Sequence, residues 1–348
     1  MAPPPMARQR RISVTTRGTS VLETAASWNA EGRRTAIATV VRTWRSSPRP
    51  LGSRMVVDAE GRFEGSVSGG CVESSVIMEC GDFLEGGKPR TLTYGVTSEM
   101  AWEVGLPCGG TIEVFVGPGH GETFEAVLEA HRNRGLIGLV TDLEGGAQRT
   151  VDPEAAEEDG EEAVREFFRR YRYQDVHEII EQNGSRRFVE LLGPPLRLAI
   201  VGATHLGQCL ASLAAAAGIE SAVIDPREAF ATPERFPHSA IIGNFPDVGL
   251  RGLMLDRRTA VVVLSHDAKI DDPALSTALG SDVFYIGALG SRKNQGARRA
   301  RLRAAGIAPE EIERIHGPVG LDIGALTAEE IAVSILAEVV EHWRKVER

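Results

Sequence analysis

Short apolar segments and amphipathic segments alternate along the chain, and this pattern predicts an α/β protein. Runs rich in β-branched residues predict strands in the first half, at 35–44, 54–57, 63–67, 90–96, 111–116, 136–141 and 188–192. Apolar residues at three- and four-residue spacing predict helices that begin near Val21, Cys71 and Glu125. The first half therefore predicts a mixed α/β domain.

From Leu198 onwards, strands and helices alternate more regularly. The predicted strands are 198–201, 222–225, 240–242, 260–264 and 283–286; the predicted helices are 206–217, 272–279 and a last helix after the capping box Thr327–Glu330. Such alternation implies a parallel sheet with helices on both faces. The second half therefore predicts a Rossmann-like, doubly wound parallel sheet.

The run Gly193-Pro194-Pro195 marks the predicted domain boundary. We expect a disordered N-terminus at 1–18, a mixed α/β domain at 19–194 and the Rossmann-like domain at 195–348. An acidic stretch near 150–163 carries few apolar residues between 152 and 162, and it predicts an exposed insertion in the first domain.

Composition narrows the classes of function. The chain of 348 residues has 39 Lys and Arg against 48 Asp and Glu, a net charge of -9, which argues against a general nucleic-acid or membrane-surface binder. No apolar run reaches membrane-spanning length, and the N-terminus lacks the apolar run of a signal peptide. Four cysteines are too few for a disulfide scaffold, so we expect a cytoplasmic protein with free thiols.

Two cysteines stand in glycine-rich turns. Cys71 follows Ser68, Gly69 and Gly70, and the pattern places it in the first turn of a helix with backbone N–H groups pointing outward. The positive end of a helix dipole favours the thiolate, which raises nucleophilicity and metal affinity. The alternative is a small buried residue, since free cysteine is commonly buried.

The second cysteine turn is less well placed. Cys108 precedes Gly109 and Gly110, which leave its backbone open to a ligand, although a purely structural turn explains the pattern equally well. If Cys71 and Cys108 meet in the fold, soft thiolates suit a soft metal centre or transferable sulfur, and the spacing excludes an ordinary zinc site. Cys80 and Cys209 are predicted core residues.

A nucleotide-type turn opens the second domain. Gly202 and Gly207 supply the tight turn and the close strand–helix contact, but Thr204 occupies the place of the usual middle glycine. Asp225 ends the next predicted strand, where a carboxylate accepts hydrogen bonds from ribose hydroxyls. Together these features indicate a nucleotide.

Further loops leave the same predicted sheet edge. Their candidate ligand residues are His205, His266, Asp267, Gly290, Ser291 and Arg292. Ser291, Arg292 and Lys293 open a helix and favour a phosphate. His205 and His266 are either proton carriers or histidines that hydrogen-bond a loop. His316 lies in a glycine-rich loop that could close over this edge.

These motifs together resemble the XdhC/CoxI family of molybdenum-cofactor maturation factors. The resemblance rests on Gly65–Glu73, Leu106–Gly110, Gly202–Gly207, Tyr285–Ser291 and Val319–Ala332, and it spans nearly the whole chain. Thr204 departs from the glycine that we expect in the family.

The resemblance implies a cofactor-insertion chaperone rather than an enzyme in the ordinary sense. Such a protein binds molybdopterin or its dinucleotide form, supports sulfuration of the metal and delivers the cofactor to a xanthine-dehydrogenase-like or CO-dehydrogenase-like apoenzyme. A cysteine desulfurase is an implied partner. Cys71 and Cys108 would contact the molybdenum or its sulfur, and Ser68, Gly69, Gly70, Gly109 and Gly110 would form the surrounding cradle.

Two alternatives belong to other classes. The first is an NAD(P)-dependent oxidoreductase in which His205 or His266 moves a proton, against which Thr204 counts. The second is a protein that docks a dehydrogenase and binds no small ligand. The last predicted helix has apolar positions on more than one side, so a homodimer is a further hypothesis.

Overall fold

The chain forms two compact units. The computed structural model describes residues 21–44, 49–95, 110–171, 175–182 and 184–346. The N-terminal unit is Thr19–Pro194, and the C-terminal unit contains Pro195–Arg348.

An antiparallel five-stranded sheet forms the first part of the N-terminal unit. Its strands are β1 (Thr35–Trp44), β2 (Arg54–Asp58), β3 (Phe63–Gly65), β4 (Arg90–Gly95) and β5 (Thr111–Pro118), in the order β3-β2-β1-β5-β4. Strand β1 is buried along most of its length because both faces of the sheet are covered.

Helices cover the two faces of this sheet. Helix α2 (Glu73–Leu84) buries Val76, Cys80 and Leu84 against one face. Helices α1 (Val21–Ala30) and α3 (Glu122–Arg132) bury Ala25 and Phe124 against Ile37 and Val56 on the other.

A four-stranded antiparallel sheet completes the N-terminal unit. It contains β6 (Ile137–Asp142), β7 (Gln148–Val151), β8 (Val176–Gln182) and β9 (Ser185–Leu192), in the order β7-β6-β9-β8. Helix α4 (Glu162–Arg170) buries Val164, Phe167 and Phe168 against it.

The acidic stretch at 152–162 is mostly exposed, yet it is tied to the sheet. Ala156, in a short 3-10 helix (Ala156–Glu158), is buried in the core, and the Asp159 carboxylate accepts from the Arg149 guanidinium. The stretch is therefore a packed connection between β7 and α4.

The C-terminal unit is a parallel six-stranded sheet. Its strands are β10 (Arg197–Val201), β11 (Glu220–Ile224), β12 (Ser239–Ile242), β13 (Thr259–Val263), β14 (Tyr285–Ala288) and β15 (Ile315–His316). The order β12-β11-β10-β13-β14-β15 is the 3-2-1-4-5-6 order of the dinucleotide-binding fold. The predicted Rossmann-like, doubly wound sheet is confirmed.

Two helical layers enclose this sheet. Helices α5 (His205–Ala216) and α10 (Ala328–Val346) pack on one face; α6 (Pro246–Gly252), α7 (Ala268–Leu279) and α8 (Arg292–Ala304) pack on the other, and the short α9 (Pro309–Ile312) precedes β15. Among the described helices, none is long and apolar enough to cross a membrane.

Candidate functional site

The Cys71 turn links β3 to α2. Gly69 and Gly70 have φ angles of +77° and +114°, a region that glycine enters without steric cost. Cys71 is an exposed free thiol. Helix α2 begins at Glu73, so the prediction that Cys71 lies in the first helical turn is wrong by two residues.

The buried carboxylate of Glu73 organises this turn. It accepts hydrogen bonds from two serine hydroxyls and from four backbone amides of the turn, with N–O distances of 2.8 to 3.2 Å for the amides. The amide donors are Val67, Ser68, Gly70 and Val72, and the hydroxyl donors are Ser66 and Ser68. The predicted outward-pointing N–H groups are therefore wrong, because these amides point inward to an anion that the chain supplies.

The charge of Glu73 follows from these bonds. Burial raises its pKa, but the hydrogen bonds from Ser68 and Ser66 outweigh burial and lower the pKa to about 2. Ser68 Oγ also accepts from the Cys71 amide at 2.9 Å and from the Val72 amide at 3.0 Å. The turn therefore holds its backbone in one conformation and leaves the Cys71 side chain exposed.

The second cysteine turn lies largely outside the described residues. Cys108 and Gly109 belong to 96–109, for which the structure gives no description, and Gly110 is buried immediately before β5. The predictions for Cys108 and Gly109 therefore stay predictions.

The flanks of 96–109 can still be placed relative to Cys71. Ser75 Oγ lies 3.4 Å from Tyr94 Oη near the end of β4, whereas Arg90 at its beginning contacts Asp82, farther along α2, at 3.3 Å. Strand β4 therefore runs antiparallel to α2 and ends at the level of the helix N-terminus. Cys71 lies at this same end.

The remaining described cysteines differ from each other. Cys80 is fully buried, as predicted, and burial, with a smaller effect of Glu79, raises its pKa to about 12. Cys209 is only partly buried, and its Sγ lies 3.9 Å from Glu329 Oε1. Cys209 packs against the edge of the core rather than lying within it as predicted, because this side of α5 faces α10 at its exposed N-terminal end.

In the C-terminal unit, the glycine turn after β10 is built for close packing. Gly202 has φ +108°, and a Cβ on Gly207 would lie 2.8 Å from the Gly202 carbonyl oxygen. Thr204 caps α5, since its side chain accepts from the Gly207 amide at 3.1 Å. Capping gives a physical reason for threonine at this position.

Asp225 is buried at the end of β11 and already has partners. Its carboxylate accepts from the Ala203 amide at 2.8 Å and from the Arg227 side chain at 2.6 and 2.8 Å. Burial raises the pKa of Asp225, but the bonds from Arg227 and Ala203 outweigh it and lower the pKa. Both oxygens are used within the protein, rather than free for ribose hydroxyls as the sequence led us to expect.

The other predicted ligand residues lie at the carboxyl edge of the parallel sheet. His266, after β13, is exposed, and Asp267 caps α7 by accepting from the Lys269 amide at 2.9 Å. After β14, Gly290 leads to Ser291, which caps α8, and to the exposed Arg292. These loops thus share one sheet edge.

A buried network fixes the loop after β14. Arg298 pairs with Asp271 at 2.9 Å and donates to the Leu289 carbonyl oxygen at 2.9 Å, and Gln295 donates to the Ala288 carbonyl oxygen at 3.0 Å.

The predicted ligand residue His205 lies at the start of α5. Its side chain is 70% exposed and lies 3.4 Å from Glu329 Oε1.

The sequence analysis missed a buried ion cluster in the N-terminal unit. Glu190 Oε1 lies 2.8 Å from the Arg54 guanidinium and 3.0 Å from His177 Nδ1. Burial raises the pKa of Glu190, but Arg54 and His177 outweigh it and lower the pKa. A charged residue inside the apolar run 188–192 was the available signal.

Comparison with known proteins covers both units. Residues 28–95 match the model of the XdhC and CoxI family, and residues 198–339 match that of the XdhC Rossmann domain. The chain is 32% identical over 321 residues to the molybdenum cofactor insertion chaperone PaoD of Escherichia coli (strain K12), a match that covers 92% of this chain and 87% of PaoD. The chain belongs to the XdhC and CoxI family. The resemblance inferred from the motifs is confirmed.

Other similar proteins match over comparable lengths. A probable xanthine dehydrogenase subunit of Bacillus subtilis (strain 168) is 28% identical over 329 residues, covering 89% of this chain and 93% of the relative. A crystal structure of a xanthine dehydrogenase from Bacillus halodurans superposes with a TM-score of 0.75 at 27% identity, covering 94% of this chain and 96% of that chain.

Proposed function

We propose that this XdhC and CoxI family member binds the molybdenum cofactor and delivers it to a xanthine-dehydrogenase-like or CO-dehydrogenase-like apoenzyme. The similarity to PaoD, which is named an insertion chaperone, supports a maturation role. The observation that carries the proposal is the exposed thiol of Cys71 on a turn whose backbone is fixed by Glu73.

Cys71 contacts the cargo through sulfur. A thiolate is a soft ligand and suits a soft metal centre or the transfer of sulfur. The Gly70 amide donates to Glu73 and the Gly69 amide donates to Ser66 Oγ, so these glycines give the cofactor close access to the turn without binding it through their N–H groups. Cys108 and Gly110, at the other predicted turn, are proposed to supply the second sulfur and its backbone.

Predicted anion contacts lie in the C-terminal unit. Exposed Arg292 and the capping residue Ser291 follow the carboxyl end of β14, where folds of this kind bind ligands. We assign Gly202, Gly290, Ser291 and Arg292 to a phosphate group of the molybdopterin or its dinucleotide form.

Sulfuration is the finer part of the proposal. The chain holds the cofactor while a cysteine desulfurase supplies the sulfur for the sulfido ligand on molybdenum. This role would be supported if the desulfurase cross-links to this chain in the presence of cofactor and does not cross-link to the cofactor-free protein.

The cytoplasmic location expected from the sequence stays a prediction.

Two observations count against the NAD(P)-dependent oxidoreductase, although the strand order is that of the dinucleotide-binding fold. Thr204 caps α5 where the usual fingerprint has a glycine, and both carboxylate oxygens of Asp225 accept hydrogen bonds from within the chain. To accept from the ribose hydroxyls of NAD(P), Asp225 would have to break its pair with Arg227.

Retention of the cofactor tests the proposal. Anaerobically purified protein is mixed with molybdenum cofactor and passed through a gel-filtration column, and molybdenum and pterin are measured in the protein fractions. We expect retention by the unaltered chain and at least a tenfold weaker retention in Cys71→Ser and Cys108→Ser. Cys209→Ser is the matched control, since it removes another partly exposed thiol.

The possible outcomes distinguish a failure of the proposed function from a failure of the proposed cysteine ligands. Equal retention by all variants would leave cofactor binding intact and exclude the cysteines as its ligands. If the chain retains neither the cofactor nor NADPH, a docking protein is favoured. If it binds NADPH tightly and the Cys71→Ser variant binds NADPH equally well, the oxidoreductase is favoured.

A further inference from the structure

We propose that His316, Glu338 and His342 form a binding site for a divalent first-row transition-metal ion of the Zn²⁺ class. The site lies in the C-terminal unit, where β15 ends beside α10. It is distinct from the cysteine turns, and it does not depend on the proposed cofactor delivery.

The three side chains converge because of their positions in the fold. Glu338 and His342 are four residues apart on α10, so they share one face of the helix. His316 is the last residue of β15 and approaches the same face. One nitrogen of each histidine and one oxygen of Glu338 lie within 4.8 Å of one another.

The distance between one nitrogen of His316 and one oxygen of Glu338 is close to the separation of two ligand atoms on the same metal ion. His316 Nδ1 lies 3.3 Å from Glu338 Oε1, and in the chain without metal this contact is a hydrogen bond whose proton a bound ion would displace. Two ligands at about 2.0–2.1 Å from a tetrahedral Zn²⁺ are separated by roughly 3.4 Å. One nitrogen of His342 lies within 4.8 Å of the other two ligand atoms, so it must approach them by up to about 1.4 Å to share a tetrahedral ion.

Hydrogen bonds outside the site orient two of the ligands. Tyr285 Oη donates to Glu338 Oε2 at 2.7 Å and the Gly320 amide donates to the same oxygen at 2.6 Å, which leaves Oε1 toward His316. His342 Nδ1 lies 2.9 Å from the Glu338 carbonyl oxygen. A carbonyl only accepts, so Nδ1 carries the proton and Nε2 keeps its lone pair for a metal. Such outer bonds are typical of metal-binding histidines and carboxylates.

A second group of potential ligands lacks these features. His205, Cys209 and Glu329 also come within 4.8 Å of one another. However, the side chains of His205 and Glu329 are 70% and 65% exposed, whereas those of His316 and Glu338 are 34% and 11% exposed. Partial burial lowers the competition from water, so the observations favour the His316 site.

The ligand set indicates which ion binds. Two imidazoles and one carboxylate suit Zn²⁺, Co²⁺ or Fe²⁺ better than Mg²⁺ or Ca²⁺, which prefer oxygen ligands. The partial exposure of His316 leaves a fourth position open to water, as in sites where the metal polarises a bound molecule.

Cobalt titration of the full chain tests the site. Protein freed of metal with a chelator is titrated with Co²⁺, and visible absorption and calorimetry are recorded. We expect one Co²⁺ per chain with the strong visible bands of four-coordinate cobalt, and its displacement by Zn²⁺. His316→Gln, His342→Gln and Glu338→Gln should each weaken binding at least tenfold, and Tyr285→Phe about tenfold or less.

Two control variants test whether Co²⁺ binding is specific to the three proposed ligands. His266→Gln removes an exposed histidine of the same unit, and Cys209→Ser removes the thiol of the second group; neither should change Co²⁺ binding. Circular dichroism and thermal unfolding verify that each variant is folded. His342→Gln is the most informative, because the ring hydrogen bond of His342 within the described residues goes to a backbone carbonyl of its own helix.

Three results would overturn the assignment. The first is absence of a stoichiometric four-coordinate cobalt spectrum in the unaltered chain. The second is binding that survives in both folded histidine variants. The third is a sulfur-to-cobalt charge-transfer band that disappears in Cys209→Ser, which would move the ion to the second group.

Discussion

Glu73 determines the conformation of the turn that presents Cys71. Its carboxylate accepts hydrogen bonds from the amides of 67, 68 and 70, and it shares the amide of 72 with Ser68 Oγ. Hydrogen bonds to a charged group are stronger than neutral ones, and buried donors left without an acceptor are costly.

Replacement of the carboxylate by an amide should release the turn. In Glu73→Gln we expect a loss of about 3 kcal/mol in the free energy of unfolding, because a neutral acceptor replaces a charged one and the new NH₂ group faces other donors. Hydrogen exchange should become faster at the amides of Ser68, Gly70 and Val72. Glu85→Gln, exposed just beyond α2, is the control and should leave exchange in the turn unchanged.

The pKa of Glu73 also predicts how stability depends on pH. Its pKa is about 2 in the folded chain against 4.5 for the ordinary group. A lowered folded pKa stabilises the fold above the unfolded pKa, and this contribution disappears as pH falls from about 4.5 to about 2. Urea unfolding between pH 5 and pH 2 should be less steeply dependent on pH in Glu73→Gln; an identical dependence in both proteins would contradict the assignment.

For single residues, the sequence predicts the conformation of a glycine-rich turn better than the hydrogen-bond partners of its amides. The glycines beside Cys71 predicted a tight turn, and the positive φ angles agree. The same glycines suggested free amides, and nothing in the local pattern showed that Glu73 would fold back onto them. The partners of Glu73 all lie within seven residues of it, so the contact depends on the exact backbone path of the turn, which residue types alone do not define.

Close approach between β10 and α5 is the main restriction on the glycine turn of the C-terminal unit. A side chain at 207 would meet the Gly202 carbonyl oxygen, which belongs to backbone and cannot rotate away. By contrast, Gly296 lies on the exposed side of α8 with no atom within 4 Å of an added Cβ.

Replacing these two glycines by alanine should change the free energy of unfolding in opposite directions. Gly207→Ala is expected to destabilise the chain by about 1–3 kcal/mol through overpacking. Gly296→Ala is expected to stabilise it by about 0.5–1 kcal/mol, because glycine is unfavourable inside a helix. Urea denaturation followed by circular dichroism measures both; a neutral Gly207→Ala would show that β10 and α5 can separate without cost.

Element prediction succeeded where hydrophobic alternation was strong. The strands of the parallel sheet are buried on both faces, so their sequences are continuous apolar runs between helices. Strand β8 was missed because it is an edge strand with few buried residues, and α6 because it is short and contains two glycines. The start of α7 was placed four residues late: the helix begins at Ala268, is capped by Asp267 and contains Pro273.

Helix α10 offers a surface for association of two chains. Val333 and Val340 lie one heptad apart and are 48% and 39% exposed, and Leu326, just before the helix, is 89% exposed. Apolar side chains that recur at this spacing favour helix pairing. The homodimer predicted from the sequence would use this face.

Light scattering at micromolar concentration checks the oligomeric state. The unaltered chain should have twice the mass of one chain, and the double variant Val333→Asp, Val340→Asp should have the mass of one, because paired charges oppose burial of the face. Val248→Asp, at an equally exposed valine of α6, is the control and should leave the mass unchanged. A single-chain mass for the unaltered protein would exclude the dimer.

The pairing of β4 with β5 has a consequence for engineering and divergence. Gly95 and Thr111 are neighbours in the antiparallel ladder, so the ends of 96–110 are held side by side by the framework. The entropy of closing a loop rises only slowly with its length. A replacement segment of different length between these two anchors is therefore expected to leave the pairing of β4 with β5 intact, which circular dichroism and thermal unfolding of such a chimera would measure.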